Sequence, residues 1–320
     1  MCHKILSICI PTYMRSTKLK ECLDSIIKQF DNDIISKIDI IIFDNCSFDD
    51  TFELCNEYMK KFENIKYIRN ETNIGPDRNF LKILSTELNS NFCHLMSDDD
   101  VYCDGKLKKL VEFLEKHNSL HFIYVNIMYF SENIIDYSLE HKKLYNGKEL
   151  APYLSKKEFI KYVNNEISFL SGMIFNTKNI NLNNSEKFIN TNWLQSYMLF
   201  NSTIDSEKKL AFYSDVVVAK RDLLYEPDYD RFKVFGRNYY NLLKYGYEIC
   251  GYQKKQLTKL LVSRYLKLIY WAKCNNIDRT KYRDIIDISK KEKYVKVLLF
   301  NCLPSFICKL YYKLKHRRSN

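Results

Sequence analysis

Three consecutive carboxylates, Asp98-Asp99-Asp100, follow the apolar run Phe92-Cys93-His94-Leu95-Met96 and Ser97. Unit charges about 4 Å apart repel by roughly 4 kcal/mol at an effective dielectric near 20, so such a cluster needs compensation. A divalent cation supplies it, and hard carboxylate oxygens suit Mg²⁺ or Mn²⁺, which keep positions open for phosphate oxygens. In an extended chain Asp98 and Asp100 share one face and Asp99 takes the other. The same acids could instead form a solvated surface turn, or cap the helix that begins near Lys106.

The elements that would position these acids read as alternating strands and helices. Ile5–Ile10 is a buried strand stopped by Pro11-Thr12-Tyr13, and Thr17 opens a helix with apolar residues Leu19, Cys22, Leu23, Ile26 and Ile27. Ile38–Phe43 is a second strand, ending at Asp44-Asn45-Cys46-Ser47, and Thr51 starts a second helix. Ile65–Arg69 is a third strand, residues 77–88 a third helix, and Phe92–Met96 a fourth strand. Near-continuous apolar strands alternating with helices predict an α/β fold, its sheet mostly parallel and covered on both faces. Thr12, Asp44, Asn73 and Asp98 then share the carboxyl edge, where open parallel sheets bind ligands. A helix over 106–116, strands over 122–125 and 168–175, a helix over 193–200 and several Lys- and Tyr-rich helices beyond Pro227 complete the expectation.

Four motifs occur in order: Ile8–Tyr13, Ile41–Thr51, Asn73–Phe80 and Leu95–Asp100. Together they resemble family-2 glycosyltransferases of the GT-A fold. Gly75-Pro76-Asp77-Arg78-Asn79-Phe80, followed by the Ser-Asp-Asp-Asp turn, is similar to the abequosyltransferase-like enzymes of bacterial O-antigen and capsule assembly. The likeness covers roughly residues 5–130. It implies a Rossmann-like mixed, mostly parallel sheet with a helical C-terminal extension. It also implies transfer of a sugar from a nucleotide-diphosphate-sugar donor to a saccharide or lipid-linked saccharide acceptor, dependent on Mn²⁺ or Mg²⁺ and inverting. By position, Pro11, Thr12 and Tyr13 would line the nucleotide pocket, Asp44 would accept from the base, and Arg78 would sit near base or diphosphate. Asp98 and Asp99 would face ribose and diphosphate. Asp100, supported by Asp98, would ligate the metal. Gly75 supplies a special backbone angle.

Each residue also has a plainer structural role open to it. Pro11-Thr12 can end a strand, Asp44 can open a turn, and Arg78 can pair with Asp77 or Glu71. The resemblance departs at the catalytic base: Phe188–Gln195 contains no acid, leaving Glu186 and Asp205 as flanking carboxylates and Glu186 as the weak candidate. Ser171-Gly172 marks the acceptor edge or a close-packed strand glycine, and Trp193 reads as core. The resulting division is a nucleotide-sugar half (1–125), an acceptor half of the same domain (126–225) and a basic helical region (226–320).

Length and charge narrow the remaining readings. The chain has 320 residues, 46% hydrophobic, which excludes a disordered protein. Eleven scattered cysteines, with no C-x-x-C pair, fit reduced thiols in a cytoplasmic protein rather than a disulfide framework or zinc site. The apolar run from Ile5 is too short for a leader or a membrane span. Residues 231–320 hold 22 Lys/Arg against 5 Asp/Glu, a balance of +17 within a total of +11, so the first 230 carry −6. The basic end, with apolar stretches Tyr294–Phe300 and Phe306–Leu314, suits either a peripheral helix on the anionic inner face of the cell membrane or a plain amphipathic helix on the core. A sugar-phosphate nucleotidyltransferase is disfavoured because Pro11–Arg15 lacks the Gly-rich loop such chemistry uses. A non-catalytic nucleic-acid-binding protein is disfavoured by the acidic N-terminal part, so no nucleic-acid partner is expected.

Overall fold

All seven residues of β2 (Ile38–Asp44) are buried, as a strand covered on both faces requires. The computed structural model describes residues 3–130, 153–163, 167–204, 206–207, 209–221, 230–251 and 254–307. They fall into two units, residues 1–190 with 194–224 and residues 191–193 with 225–320.

In the first unit β1 (Lys4–Thr12), β2, β3 (Ile65–Arg69) and β4 (Ser90–Leu95) are parallel, in the order β3-β2-β1-β4. Their crossovers carry α1 (Ser16–Ile27), α2 (Asn32–Lys37), α3 (Thr51–Lys61) and α4 (Pro76–Ser85). The apolar spacing in α1 holds, since Leu19, Cys22, Leu23 and Ile26 are all buried. Before α4, Gly75 adopts φ +80, a left-handed conformation that glycine enters without a Cβ penalty, and Pro76 follows at the first helical position. In register, Thr12 lies opposite Asp44 and Cys9 opposite Leu95, so the polar strand ends meet at one edge.

The sheet continues through β7 (Met173–Asn176), antiparallel to β4, and β6 (Phe122–Phe130), antiparallel to β7. Next come β8 (Leu210–Arg221), parallel to β6, and β5 (Val101–Tyr102), antiparallel to β8. This eight-stranded, mixed and mostly parallel sheet is the expected α/β class. Helix α5 (Lys106–Lys116) packs Leu107, Leu110, Val111 and Leu114 inward, and its first amides, Lys106 and Leu107, both donate to Gln29 Oε1 at 3.1 Å. Two further helices are α6 (Lys156–Val163) and the wholly buried α7 (Leu194–Ser202).

Three sequence expectations change. β8 was not foreseen, because Ser214-Asp215 interrupts its apolar run, and the ladder with β6 shifts register beside Asn126. β5 is only two residues long and carries no periodic signal. The strand expected over 168–175 is a 3₁₀ turn, Leu170–Gly172, followed by the shorter β7. Gly172 explains the turn: a Cβ there would lie 2.4 Å from Cζ of the buried Tyr124 ring.

The second unit is helical, as expected. A π-helical turn (Lys233–Asn238) runs into α8 (Tyr239–Cys250), followed by α9 (Lys254–Cys274), α10 (Arg283–Lys291) and α11 (Val295–Cys302). Trp193 is core here, its Nε1 donating to Val234 O at 2.9 Å. Among the described residues no helix is long and apolar enough to cross a membrane.

Gly172→Ala should force the Tyr124 ring aside and cost about 1–3 kcal/mol of stability, by analogy with overpacked cores. A denaturant midpoint that does not move would show that the ring yields freely.

Candidate active site at the carboxyl ends of the central strands

The acids after β4 do not stay extended. Asp100 N–H donates to Ser97 O at 3.4 Å across a turn, and the three carboxylates diverge. Asp98 faces β1, accepting from Thr12 Oγ1 at 2.8 Å and from Arg15 Nη1 at 3.2 Å. Asp99 accepts from Ser97 Oγ at 2.6 Å and from the same Arg15 Nη1 at 3.2 Å. Asp100 turns inward, taking Ser171 Oγ at 2.6 Å on Oδ2 and the Arg221 backbone N–H at 3.0 Å on Oδ1. The shared face expected for Asp98 and Asp100 is therefore replaced by a shared cation for Asp98 and Asp99.

Burial first, and the Asp99 charge second, push Asp98 up to about 6, against the pull of Arg15 and Thr12. The same two causes push Asp100 up to about 8, against the Ser171 and Arg221 donors. The buried Cys22 thiol, 3.7 Å from Ser97 O, is raised well above its ordinary value by burial and then by the three acids.

Two basic groups and a histidine that the sequence did not single out hold this turn. The Arg221 side chain, buried at the end of β8, donates Nε to Asp99 O at 3.0 Å, pairs with Glu21 of α1 and stacks on Phe130 at 4.7 Å. Arg15 belongs to the loop after β1. His94 is wholly buried in β4, and its Nε2 meets Ser171 O at 2.9 Å. A carbonyl only accepts, so Nε2 carries the proton and Nδ1 accepts from Tyr102 O–H. Burial lowers this imidazole to about 4, so it is neutral. His94 thus fixes the backbone of Ser171, whose Oγ in turn accepts from Ser97 N–H at 2.9 Å. A polar residue inside an apolar strand was the available signal for His94. Arg221 offered none locally, being 121 residues from Asp100 in sequence.

At the neighbouring strand end Asp44 is buried and accepts from Ser47 N–H (2.9 Å), Ser47 Oγ (2.6 Å) and Tyr67 O–H (2.5 Å), with Arg69 Nε at 3.7 Å. It therefore does open a turn, the plainer role considered for it. The loops after β1 and β2 lock together: Asn45 N–H donates to Thr12 O and Met14 N–H to Ser47 Oγ, both at 2.9 Å. Each loop contains a non-glycine residue in the left-handed region, Met14 at φ 54 and Cys46 at φ 71. Such angles persist where surrounding contacts over-determine them, and they cluster at functional sites. Tyr13 is exposed at this rim, Pro11 is half-buried and Thr12 is buried.

A profile of Glycosyl transferase family 2 matches residues 7–178, more than half of the chain. The chain belongs to that family. The matched span contains Thr12, Asp44, Arg78, the acid turn and Ser171, whereas Glu186 and Arg221 lie beyond it. Among curated relatives, the abequosyltransferase RfbV of Salmonella typhimurium is 37% identical over 120 residues, covering 37% of this chain and 34% of the relative. The "Poly(ribitol-phosphate) beta-N-acetylglucosaminyltransferase TarS" of Staphylococcus aureus is 27% identical over 114 residues, covering 35% of this chain and 19% of the relative. The aligned stretches span about a third to a half of the first curated relatives. Among solved structures, S. aureus TarS 1-349 in complex with UDP-GlcNAc superposes with TM-score 0.63 at 16% identity, covering 90% of this chain and 80% of that one. A mannosyltransferase from Pyrobaculum calidifontis, in complex with GDP-Man and Mn²⁺, gives TM-score 0.52 at 10% identity, covering 98% and 88%. These likenesses establish the GT-A fold.

In this family-2 chain Ser171 is one of the acid turn's contacts, whereas Arg78 and Glu186 pair with each other. Arg78 of α4 pairs not with Asp77 or Glu71 but with Glu186, at 3.9 Å, both side chains being exposed. Asp77 instead caps α7, accepting from Leu194 N–H at 3.4 Å. Asp205 lies outside the described residues. Ser171, considered for the acceptor edge, is wholly buried beneath the acid turn. Among the described residues no group of three or more His, Cys, Asp or Glu side chains converges as a ready-made metal cage.

A folded carboxyl whose pKa lies above its ordinary value favours the fold while protonated and withdraws that support as pH rises. Asp98 and Asp100 should therefore erode the stability of the metal-free protein from about pH 4 up to about 6 and about 8 respectively. Asp100→Asn should raise the thermal midpoint relative to wild type by a few °C above about pH 8 and by far less near pH 4. An equal effect at both pH values would refute the burial of that charge.

Proposed function

We propose that this chain transfers a sugar from a nucleotide-diphosphate-sugar donor to a saccharide or lipid-linked saccharide acceptor in surface-polysaccharide assembly, using Mn²⁺ or Mg²⁺. The observation that carries the reading is Arg15 Nη1, 3.2 Å from both Asp98 Oδ1 and Asp99 Oδ2. One positive charge already sits between two carboxylates at the edge where β1, β2 and β4 end. The Arg15 side chain is 41% exposed, and the carboxylate oxygens on either side of its Nη1 are donors of the kind a hard dication takes.

The residues thus fit the cation, with Asp98 and Asp99 as its holders. Asp100, the ligand expected from the motif, is spoken for by Ser171 and Arg221 and is assigned to bracing the turn. When bound, the ion would neutralise the diphosphate charge that develops as the sugar leaves. Thr12 orients Asp98 by its donated hydrogen bond and favours the ionised form against the burial that raises its pKa. Asp44, held by Ser47 and Tyr67, offers a fixed acceptor for a base N–H, beside a wall of Pro11 and Tyr13. Arg78 supplies a mobile positive charge at the start of α4, where the helix dipole also favours an anion. Glu186 is the candidate base for an inverting transfer, with Arg78 keeping a counter-charge near it. The UDP-GlcNAc and GDP-Man bound in the two structural relatives support the donor class. The similarity to an abequosyltransferase supports glycosyl transfer.

Thermal-shift measurements with a panel of nucleoside diphosphates should show stabilisation by one base class that requires Mn²⁺ or Mg²⁺. At ligand about 100-fold over its Kd the gain is about 2.7 kcal/mol. Asp98→Ala and Asp99→Ala should abolish the metal-dependent part, and Arg15→Ala should keep it. A shift that is independent of metal, or that survives both Asp substitutions, would overturn the cation reading. Glu186→Gln should lower kcat by about 10²–10⁴ with donor binding intact, and full activity would remove Glu186 as base.

A further inference from the structure

We infer that the end of the second unit seats on an anionic lipid bilayer, through the apolar stripe Val295, Leu299, Leu303 and Phe306 and the lysines around it. At 100° per residue, Val295, Leu299 and Cys302 of α11 fall within about 60° of one another, while the buried Val297 and Asn301 lie on the opposite side. The helix is therefore docked by one face and bare on the other. Val295 is 59% exposed, Leu299 66% and Phe306 70%, with Leu303 and Ile307 also exposed. A run of large apolar side chains left in water within thirteen residues marks an interaction surface rather than chance exposure. Its support is fixed: Lys273 Nζ of α9 donates to Asn301 O at 2.9 Å and to Leu303 O, capping the end of α11 from beneath.

The surrounding charge selects the occupant. Lys290, Lys291, Lys293 and Lys296 are exposed beside the stripe; of the acids near them, Asp287 lies 3.9 Å from Lys290 Nζ and Glu292 accepts from Tyr240 O–H at 2.7 Å. Residues 308–320 add five Lys/Arg and no acid. An apolar stripe alone would fit a protein partner, and basic residues alone would fit a nucleic acid. Both together on one short segment fit the bilayer interface, where apolar side chains enter the acyl boundary and lysines remain among anionic headgroups. This surface is inferred independently of the transfer chemistry proposed for the first unit.

The test is co-sedimentation of the full chain with vesicles of phosphatidylcholine alone or mixed with phosphatidylglycerol. Binding is expected only to the mixed vesicles and should weaken with salt. The double substitution Leu299→Glu with Phe306→Glu should lower the partition coefficient at least about tenfold, and so should Lys291→Glu, Lys293→Glu and Lys296→Glu combined. All these positions are exposed, so circular dichroism and thermal midpoints should match wild type. The inference fails if wild type ignores the mixed vesicles, or if the apolar substitutions leave binding unchanged. It also fails if those substitutions act instead by dissolving a dimer in sedimentation velocity, or by abolishing RNA retention with vesicle binding unaffected.

Discussion

The first unit is organised around a charge problem: three adjacent carboxylates, two of them buried, at the end of an inner strand. Desolvation and mutual repulsion both favour protonation, and no single neighbour offsets them. The fold answers with donors from four separate places. Thr12 comes from β1, Arg15 from the loop after it, Ser171 from the turn before β7 and Arg221 from the end of β8. Assembling those donors requires β1, β4, β7 and β8 to be in register, so the acid turn reads out whether the sheet is correctly built. Arg221 shows the reciprocity most clearly. A guanidinium so deeply buried would be very costly alone, and it is tolerable because Glu21, the Asp99 carbonyl and the Phe130 ring surround it.

What the sequence disclosed follows from where its signals are local. The β1–β4 half was legible because each parallel strand is a near-continuous apolar run, ended by a polar residue that faces the shared edge. Thr12, Asp44 and Asp98 could be placed from that pattern alone, and the four motifs named the family. The other half was harder to read. β5 is two residues long, β7 is shortened by the turn that Gly172 permits, and β8 is broken by Ser214-Asp215 at its register shift with β6. The orientation of the acids also escaped, because strand alternation was extended through residues that in fact turn. Asp100 points where Ser171 and Arg221 wait for it, and neither residue is near it in sequence.

The same contrast separates Asp44 from Asp98. Both end parallel strands and both are buried, yet Asp44 is enclosed by neutral donors and one distant guanidinium, whereas Asp98 shares a single cation with Asp99. A carboxylate held by hydroxyls and an amide is suited to fixing the turn after its strand. One that shares its counter-charge with a neighbour is suited to exchanging that charge for another. The two strand ends are thus chemically distinct although their sequence contexts look alike.

The distribution of net charge sharpens this distinction. The first 230 residues carry −6, and the acid turn stands at the carboxyl edge of the sheet within that part of the chain. Arg15 Nη1 lies 3.2 Å from both Asp98 Oδ1 and Asp99 Oδ2, so one unit of positive charge is shared between two carboxylates. The diphosphate of the proposed donor would add negative charge beside them, and a compact second positive charge would offset it. In the proposed reading a divalent cation held by Asp98 and Asp99 would supply that charge. The repulsion that makes the acids costly in the metal-free protein would then favour the metal-bound form of the proposed donor.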